Sequence, residues 1–457
     1  MPPQPLLTSL KLAMTLEVSR APLTVALGGV DTGWTFYTPY SSVASNTNVT
    51  LAAVGVFITG FSSILTGFNF IVTLHRMRAP GMTWFRLPLF VWAHYATSIV
   101  MILGTPVVAI TILLVGAERA LHLGIFDPRI GGDPVLFQHL FWFYSHPAVY
   151  IMILPAMGVV SELITCFSRK KVFGYHFIAF SSIAIALLGF LVWGHHMFIT
   201  GMNPFLGSVF VFTTLLVAIP SAVKVFNYLA TIWRANIVLS PAMLFAMGLV
   251  SFFISGGLTG IILGDSALDI NIHDNYFVVA HFHIVMGSSA IFGMFAGIYH
   301  WFPRMYGRMM NKRLGYLHFW LTILGVYGTF FPMHFVGLSG APRRYYAYTS
   351  YEGFDAAINI NYLISAFAIL GGLAQLIFVV NFFYSIFRGK ESSQNPWKSN
   401  TIEWTAPVER LHGNWPGAIP TVYRWAYDYG KPGAEDDFIP QTVPHSATAN
   451  SNLPGEG

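Results

Sequence analysis

Val278-Val279-Ala280-His281-Phe282-His283 lies inside an apolar run extending from about Tyr276 to Trp301. A run of that length crosses a hydrocarbon core as one helix, which places both imidazoles at membrane depth. A histidine there must be paired or ligated, because an unsatisfied polar group in lipid costs roughly several kcal/mol. Residues two apart on a helix point about 200° from each other, so the two rings face opposite sides and one metal cannot take both. The economical reading is two separate metal centres, one on each side of this helix, close enough for an electron to pass between them. Two core histidines bonded to neighbouring helices remain the alternative on this stretch alone.

The remainder of the chain has the composition of a polytopic membrane protein. Of its 457 residues 54% are hydrophobic and 9% charged, with a mean hydropathy of +0.59. The pI near 9.1 is no nucleic-acid footprint, since the basic residues lie in short loops between apolar runs. The single cysteine, Cys166, excludes an internal disulfide, a four-cysteine iron–sulfur site and a CxxCH haem attachment. Any metal here is held by histidine, and several of the 16 histidines fall inside apolar runs.

Apolar segments at about 49–75, 87–117, 136–167, 173–200, 206–233, 239–263, 275–302, 314–338 and 358–388 predict an all-α bundle of about nine complete transmembrane helices. Residues 1–29 read as a partial or broken helix, interrupted by Glu17, Arg20 and Pro22, with no signal-peptide pattern. Residues 30–389 form the transmembrane bundle, and 390–457 a polar, proline-rich tail on the inner side, with turns and little core of its own, lying against the bundle or a neighbouring subunit. Orientation follows from loop charge. Arg76, Arg78 and Arg86, then Arg169, Lys170 and Lys171, then Arg234, then Arg304, Arg308, Lys312 and Arg313, then Arg388 and Lys390 fall on every second loop, which is therefore the inner side. The outer loops carry Asp127, Asp133, Asp265, Asp269 and Asp274. One outer loop breaks the rule with Arg343-Arg344. Such a pair needs an anionic partner, either haem propionates held bidentately or acidic residues of the loops.

Three further motifs carry chemistry. His146 and Tyr150 in Tyr144-Ser145-His146-Pro147-Ala148-Val149-Tyr150 are one turn apart and share a face. Trp193-Gly194-His195-His196-Met197 adds two more intramembrane imidazoles, and three histidines from two helices suit a copper ion. Adjacent helical residues diverge by about 100°, so His195 and His196 share a metal only if local geometry brings the rings together. Lys224, one turn after Ser221, is an ammonium at membrane depth that costs about 2.5–3.5 kcal/mol. It either snorkels to the inner face or belongs to a proton pathway.

The segments GGDPVLFQHLFWFYSHPAVY, WGHHMF, IPSAVKVF, HDNYFVVAHFH and GLSGAPRRY resemble subunit I of the haem–copper oxygen reductases, the cytochrome c oxidase family, in order and spacing from about Gly29 into the tail. The resemblance implies copper on His146, His195 and His196, facing a high-spin haem on His281, with dioxygen bound between the metals. It implies a second, low-spin haem with His283 as one axial ligand, both haems of type a. Tyr150 matches the tyrosine cross-linked to the first copper histidine, which gives an electron and a proton as the O–O bond breaks. Arg343 and Arg344 match the propionate pair, and His273 with Asp274 match an outer magnesium site shared with subunit II.

For protons, Ser161, Ser221, Lys224 and Tyr150 match the family's lysine pathway, and Ser62, Ser63 and Asn69 match polar positions along a second one. Where many members place a glutamate two residues after the first copper histidine, this chain has Ala148. It resembles instead the subgroup with Tyr144-Ser145 before that histidine, whose hydroxyls orient relay water. The usual first two transmembrane helices, with the start of a third, have no counterpart here, and with them go the second low-spin ligand and the acidic mouth of one pathway. The expectation is a separate small membrane chain that supplies them; a misassigned start and loss are the other readings.

The implied function is the catalytic subunit of a terminal respiratory oxidase in the bacterial cytoplasmic membrane. It reduces dioxygen with electrons from cytochrome c by way of a dinuclear copper in subunit II, beside subunit III, and is coupled to proton translocation. The mitochondrial inner membrane, quinol as donor, a nitric oxide reductase-like enzyme with non-haem iron, and a non-catalytic remnant or assembly protein are the alternatives. Tyr150 and Lys224 argue against the reductase.

Overall fold

The computed structural model describes residues 26–345, 347, 353–408, 414–431 and 436–445. Nine helical segments among them are long and apolar enough to cross a membrane, and no named strand occurs among the described residues. Most of the broken segment expected at 1–29 lies outside the described residues. The helices are α1 (Val49–Arg76), α2 (Leu89–Leu121), α3 (Pro134–Ser168), α4 (Tyr175–Leu188), α5 (Pro204–Leu216), α6 (Ala218–Ile232), α7 (Pro241–Gly264), α8 (Ser266–Ile272), α9 (Tyr276–Phe282), α10 (Ser289–Tyr306), α11 (Lys312–Leu338) and α12 (Asp355–Arg388).

Their starts are written locally. Asn203, Ser240, Asn275 and Asn311 each accept a hydrogen bond from a backbone N–H in the first turn of α5, α7, α9 and α11, and proline follows the first two of these caps. Three spans depart from a continuous helix. The fifth is α5 and α6 joined at Val217, and α4 ends in 3-10 turns at Gly189–Leu191 and Trp193–Met197. The span carrying the paired histidines is α9 and α10 joined by a π turn over His283–Ser288, where the Ser289 hydroxyl donates to the Ile284 carbonyl five residues back at 3.0 Å.

The chain forms two compact units. The first comprises residues up to 77, 94–154 and 182–217. Phe36, Phe126, Phe137, Phe141, Trp142 and Met197 belong to its core. At its outer edge the Glu118 carboxylate accepts from the backbone N–H groups of Ile125, Phe126 and Asp127 at 2.8–3.0 Å, folding the loop over the end of α2.

The second unit comprises residues 78–93, 155–181 and 218–457. In it α11 and α12 touch backbone to backbone, since a Cβ on Gly325 would lie 2.5 Å from Gly371 Cα, the close approach small residues allow in lipid. The tail has only a short 3-10 turn, Ile402–Thr405, yet it buries Trp404, Tyr427 and Tyr429. Tyr427 donates to Glu162 at 2.6 Å and accepts from the Leu89 N–H at 2.6 Å, while Arg169 pairs with Asp437 at 2.6 Å. Tail side chains are therefore tied to helix ends within this unit.

Candidate metal centre

In the first unit, α3 and the 3-10 turn Trp193–Met197 bring three histidines together. Ligand nitrogens of His146, His195 and His196 all lie within 4.8 Å of one another. His146 Nδ1 and His196 Nε2 are 3.2 Å apart, the spacing two imidazoles need to share one ion with bonds of about 2.0 Å. The donor set is all-imidazole, with His146 buried and His195 and His196 half-buried, which suits copper. A 3-10 turn spreads adjacent residues by about 120°, wider still than an α-helix, so the turn alone does not bring His195 and His196 together; their rings, with centroids 4.2 Å apart, are held by three outside contacts. His195 Nδ1 is 3.0 Å from the Thr214 hydroxyl of α5, the His196 ring stacks on Trp142, and the Phe210 ring lies against the Gly194 backbone, where a Cβ would clash. Tyr150 sits one turn below His146, with ring centroids 4.7 Å apart. Tyr144 is half-buried beside Gly104, and Ser145 is buried.

In the second unit, His281 and His283 turn to different neighbours. His281 Nδ1 lies 2.9 Å from the Gly256 carbonyl and 3.0 Å from the Thr259 hydroxyl, both on α7. His283 Nδ1 lies 2.8 Å from the Val279 carbonyl, and its ring stacks on Phe330 of α11 at 4.7 Å and 12°. In each case a backbone carbonyl holds Nδ1, which makes Nε2 the ring nitrogen available to an axial iron, the arrangement haem histidines require. The rings diverge as expected for residues two apart.

The outer arginines meet an acidic residue of the loops. Arg343 and Arg344 lie 3.6 and 3.3 Å from the two carboxylate oxygens of Asp274. His273 pairs with a second carboxylate, its Nδ1 2.9 Å from Asp269. Burial opposes a charge on His273, but the Asp269 carboxylate, aided by Asp274, overcomes it and raises the imidazole above its ordinary range. The two expected magnesium ligands thus have separate partners.

Lys224 is fully buried and its Nζ donates to the Ile178 carbonyl at 3.2 Å, so the side chain does not snorkel. Ser161 donates to the Met157 carbonyl at 2.8 Å and lies 2.9 Å from the Tyr228 hydroxyl, a buried partner the sequence reading missed. Ser221 is half-buried on α6, as are Ser62, Ser63 and Asn69 on α1. Also missed were Thr214, Trp142, Thr259 and Gly256. Only their proximity in the fold marks them, since each acts on a histidine far away in sequence.

These features define a polytopic helical membrane protein with, among the described residues, one three-imidazole site and two separately held histidines. Residues 4–370 match the family described as Cytochrome C and Quinol oxidase polypeptide I. The alternative cytochrome c oxidase subunit 1 of Bradyrhizobium diazoefficiens is 43% identical over 440 residues, 91% of this chain and 73% of that protein. The cytochrome c oxidase subunit 1 of Thermostichus vulcanus is 45% identical over 404 residues, 88% of this chain and 72% of that one. A heme-copper terminal oxidase dimer solved by cryo-EM superposes with a TM-score of 0.71 over 85% of this chain and 73% of that chain, at 19% identity, and so shares the fold. The chain belongs to the cytochrome c and quinol oxidase polypeptide I family. It is an oxidoreductase and an integral, multi-pass membrane protein, and haem and copper are the cofactors of that family.

Proposed function

We propose that this chain is the catalytic subunit of a terminal oxidase that reduces dioxygen to water with electrons from cytochrome c, delivered through a subunit II. The observation that carries this is the convergence of His146, His195 and His196 within 4.8 Å, alongside His281 and His283 held apart on one span. Copper on the first three, high-spin haem on His281 and low-spin haem on His283, both of type a, supply the electron-transfer and dioxygen-binding chemistry when bound.

The chain's own residues then have definite tasks. Thr214 and Trp142 fix the His195 and His196 rings, so that the ligand nitrogens are set before metal arrives. Thr259 and the Gly256 carbonyl do the same for His281. The Tyr150 phenol, one turn from His146, gives up its proton and an electron at the reaction site, as the resemblance implies. Lys224 carries protons inward along α6, with Ser221 beside it and the Ser161–Tyr228 pair serving the same route. Tyr144, Ser145, Ser62, Ser63 and Asn69 line a second route that supports proton translocation. The Arg343–Arg344 pair, now on Asp274, has the charge and geometry to hold propionates. Asp274 and His273 would then take magnesium.

Metal analysis and oxygen uptake of the purified complex test the reading together. Copper and two haems with oxygen consumption from reduced cytochrome c are the expected result. Non-haem iron in place of copper, or metals without oxygen uptake when all partners are present, would overturn it.

A further inference from the structure

We infer that His139 is a positioning residue for the copper ligands, acting through Trp193; the inference rests on the copper reading just given. His139, Trp142 and His146 are spaced three and four apart and so share one face of α3. Each meets the turn that carries the other two ligands. Trp193 Nε1 donates to His139 Nδ1 at 3.2 Å, Trp142 stacks on His196 at 3.7 Å, and His146 lies against both His195 and His196. The turn is thus laid along α3 in register at three rungs. The lower two involve metal ligands. The upper one does not, and its place in the site is what the geometry assigns.

A five-residue 3-10 turn has poor hydrogen bonding of its own, so its course is set by what it docks on. Trp193 opens this turn, two residues before His195. Its ring is packed between Phe143 and Phe210, with centroids 5.3 and 5.1 Å away, and the bond to His139 fixes its remaining freedom. An indole N–H can only donate, so Nδ1 of His139 accepts and the ring carries its proton on Nε2. Loss of that acceptor leaves a half-buried indole N–H unpaired and lets the turn shift along α3, which displaces the His195 and His196 nitrogens relative to His146.

The test compares four variants of the intact complex by copper retained against a chelator and by the infrared band of carbon monoxide photolysed from haem onto copper. H139L and W193F should each weaken copper retention about tenfold, the lower end of what supporting residues contribute, and shift or broaden the band. The double variant should be no worse than either single one. H139N, whose amide oxygen can take the place of Nδ1, should restore both readouts. Wild-type behaviour of H139L, additive losses in the double variant, or H139N as defective as H139L would each overturn the inference. The low-spin haem spectrum reports folding independently, and if H139L loses it, W193F decides by the same criteria. Absence of copper from the wild-type complex would instead defeat the copper reading itself.

Discussion

The indole of Trp142 lies flat on the imidazole of His196, with ring centroids 3.7 Å apart and planes 11° from parallel. The stack takes away the ring's rotational freedom before any ligand binds, so the metal need not supply that ordering. Stacked aromatic pairs contribute about 0.5–1.5 kcal/mol beyond burial, so Trp142→Ala should lower copper affinity up to roughly tenfold, and Trp142→Phe should lower it less. Competition with a graded chelator series measures both.

His281 is held by two acceptors on α7, the Gly256 carbonyl and the Thr259 hydroxyl. His281→Ala should abolish the carbon-monoxide-binding high-spin haem while the spectrum attributed to His283 persists. An unchanged carbon monoxide difference spectrum would refute the assignment. Thr259→Val removes one of the two bonds to Nδ1 and should leave the haem in place with a shifted iron–histidine stretch in resonance Raman.

Lys224 is buried and bonded to the Ile178 carbonyl rather than extended toward water. Lys224→Met keeps the shape and removes the ionisable amine, so if the proposed proton route is right oxygen consumption should fall to a few per cent or less while metal content stays normal. Full activity in that variant would leave the lysine a purely structural role.

Hydrogen bonds from the Arg169 guanidinium hold the Asp437 carboxyl below the usual carboxylate range. A depressed folded value means that the pair's contribution is complete above the ordinary carboxylate pKa and is lost as pH falls through the lowered one. Below about pH 4 the tail should therefore become more sensitive to acid-stable proteases. Asp437→Asn should show that sensitivity already at neutral pH, with little further change on acidification.

Much of this site was legible because membrane depth makes a histidine conspicuous. The divergence of His281 and His283 follows from helical geometry alone, and the spans follow from the lengths of apolar runs. The approach of His195 to His196 was not legible, because helical spacing alone sends adjacent residues apart and the side chains that hold the two rings, Thr214 and Trp142, lie on other helices. Thr259, Gly256 and Tyr228 were invisible for a related reason: each lies on a different helix from the residue it serves, and no local pattern predicts which turns of separate helices will meet. Asp274 lies within ion-pair distance of both Arg343 and Arg344, a pairing no local pattern in the sequence singled out.

The wide turn at His283–Ser288 throws the lower half of its span out of phase with the upper half. A helical wheel drawn straight through from Tyr276 to Tyr306 would assign the wrong faces to everything after Ser289. Excising a single residue from this turn would let it tighten to an ordinary α-helical pitch, and His283 would then swing like a misaligned gear tooth against α10. The length of this turn, counted in residues, therefore decides where the His283 imidazole sits as much as the histidine's own place in the sequence does.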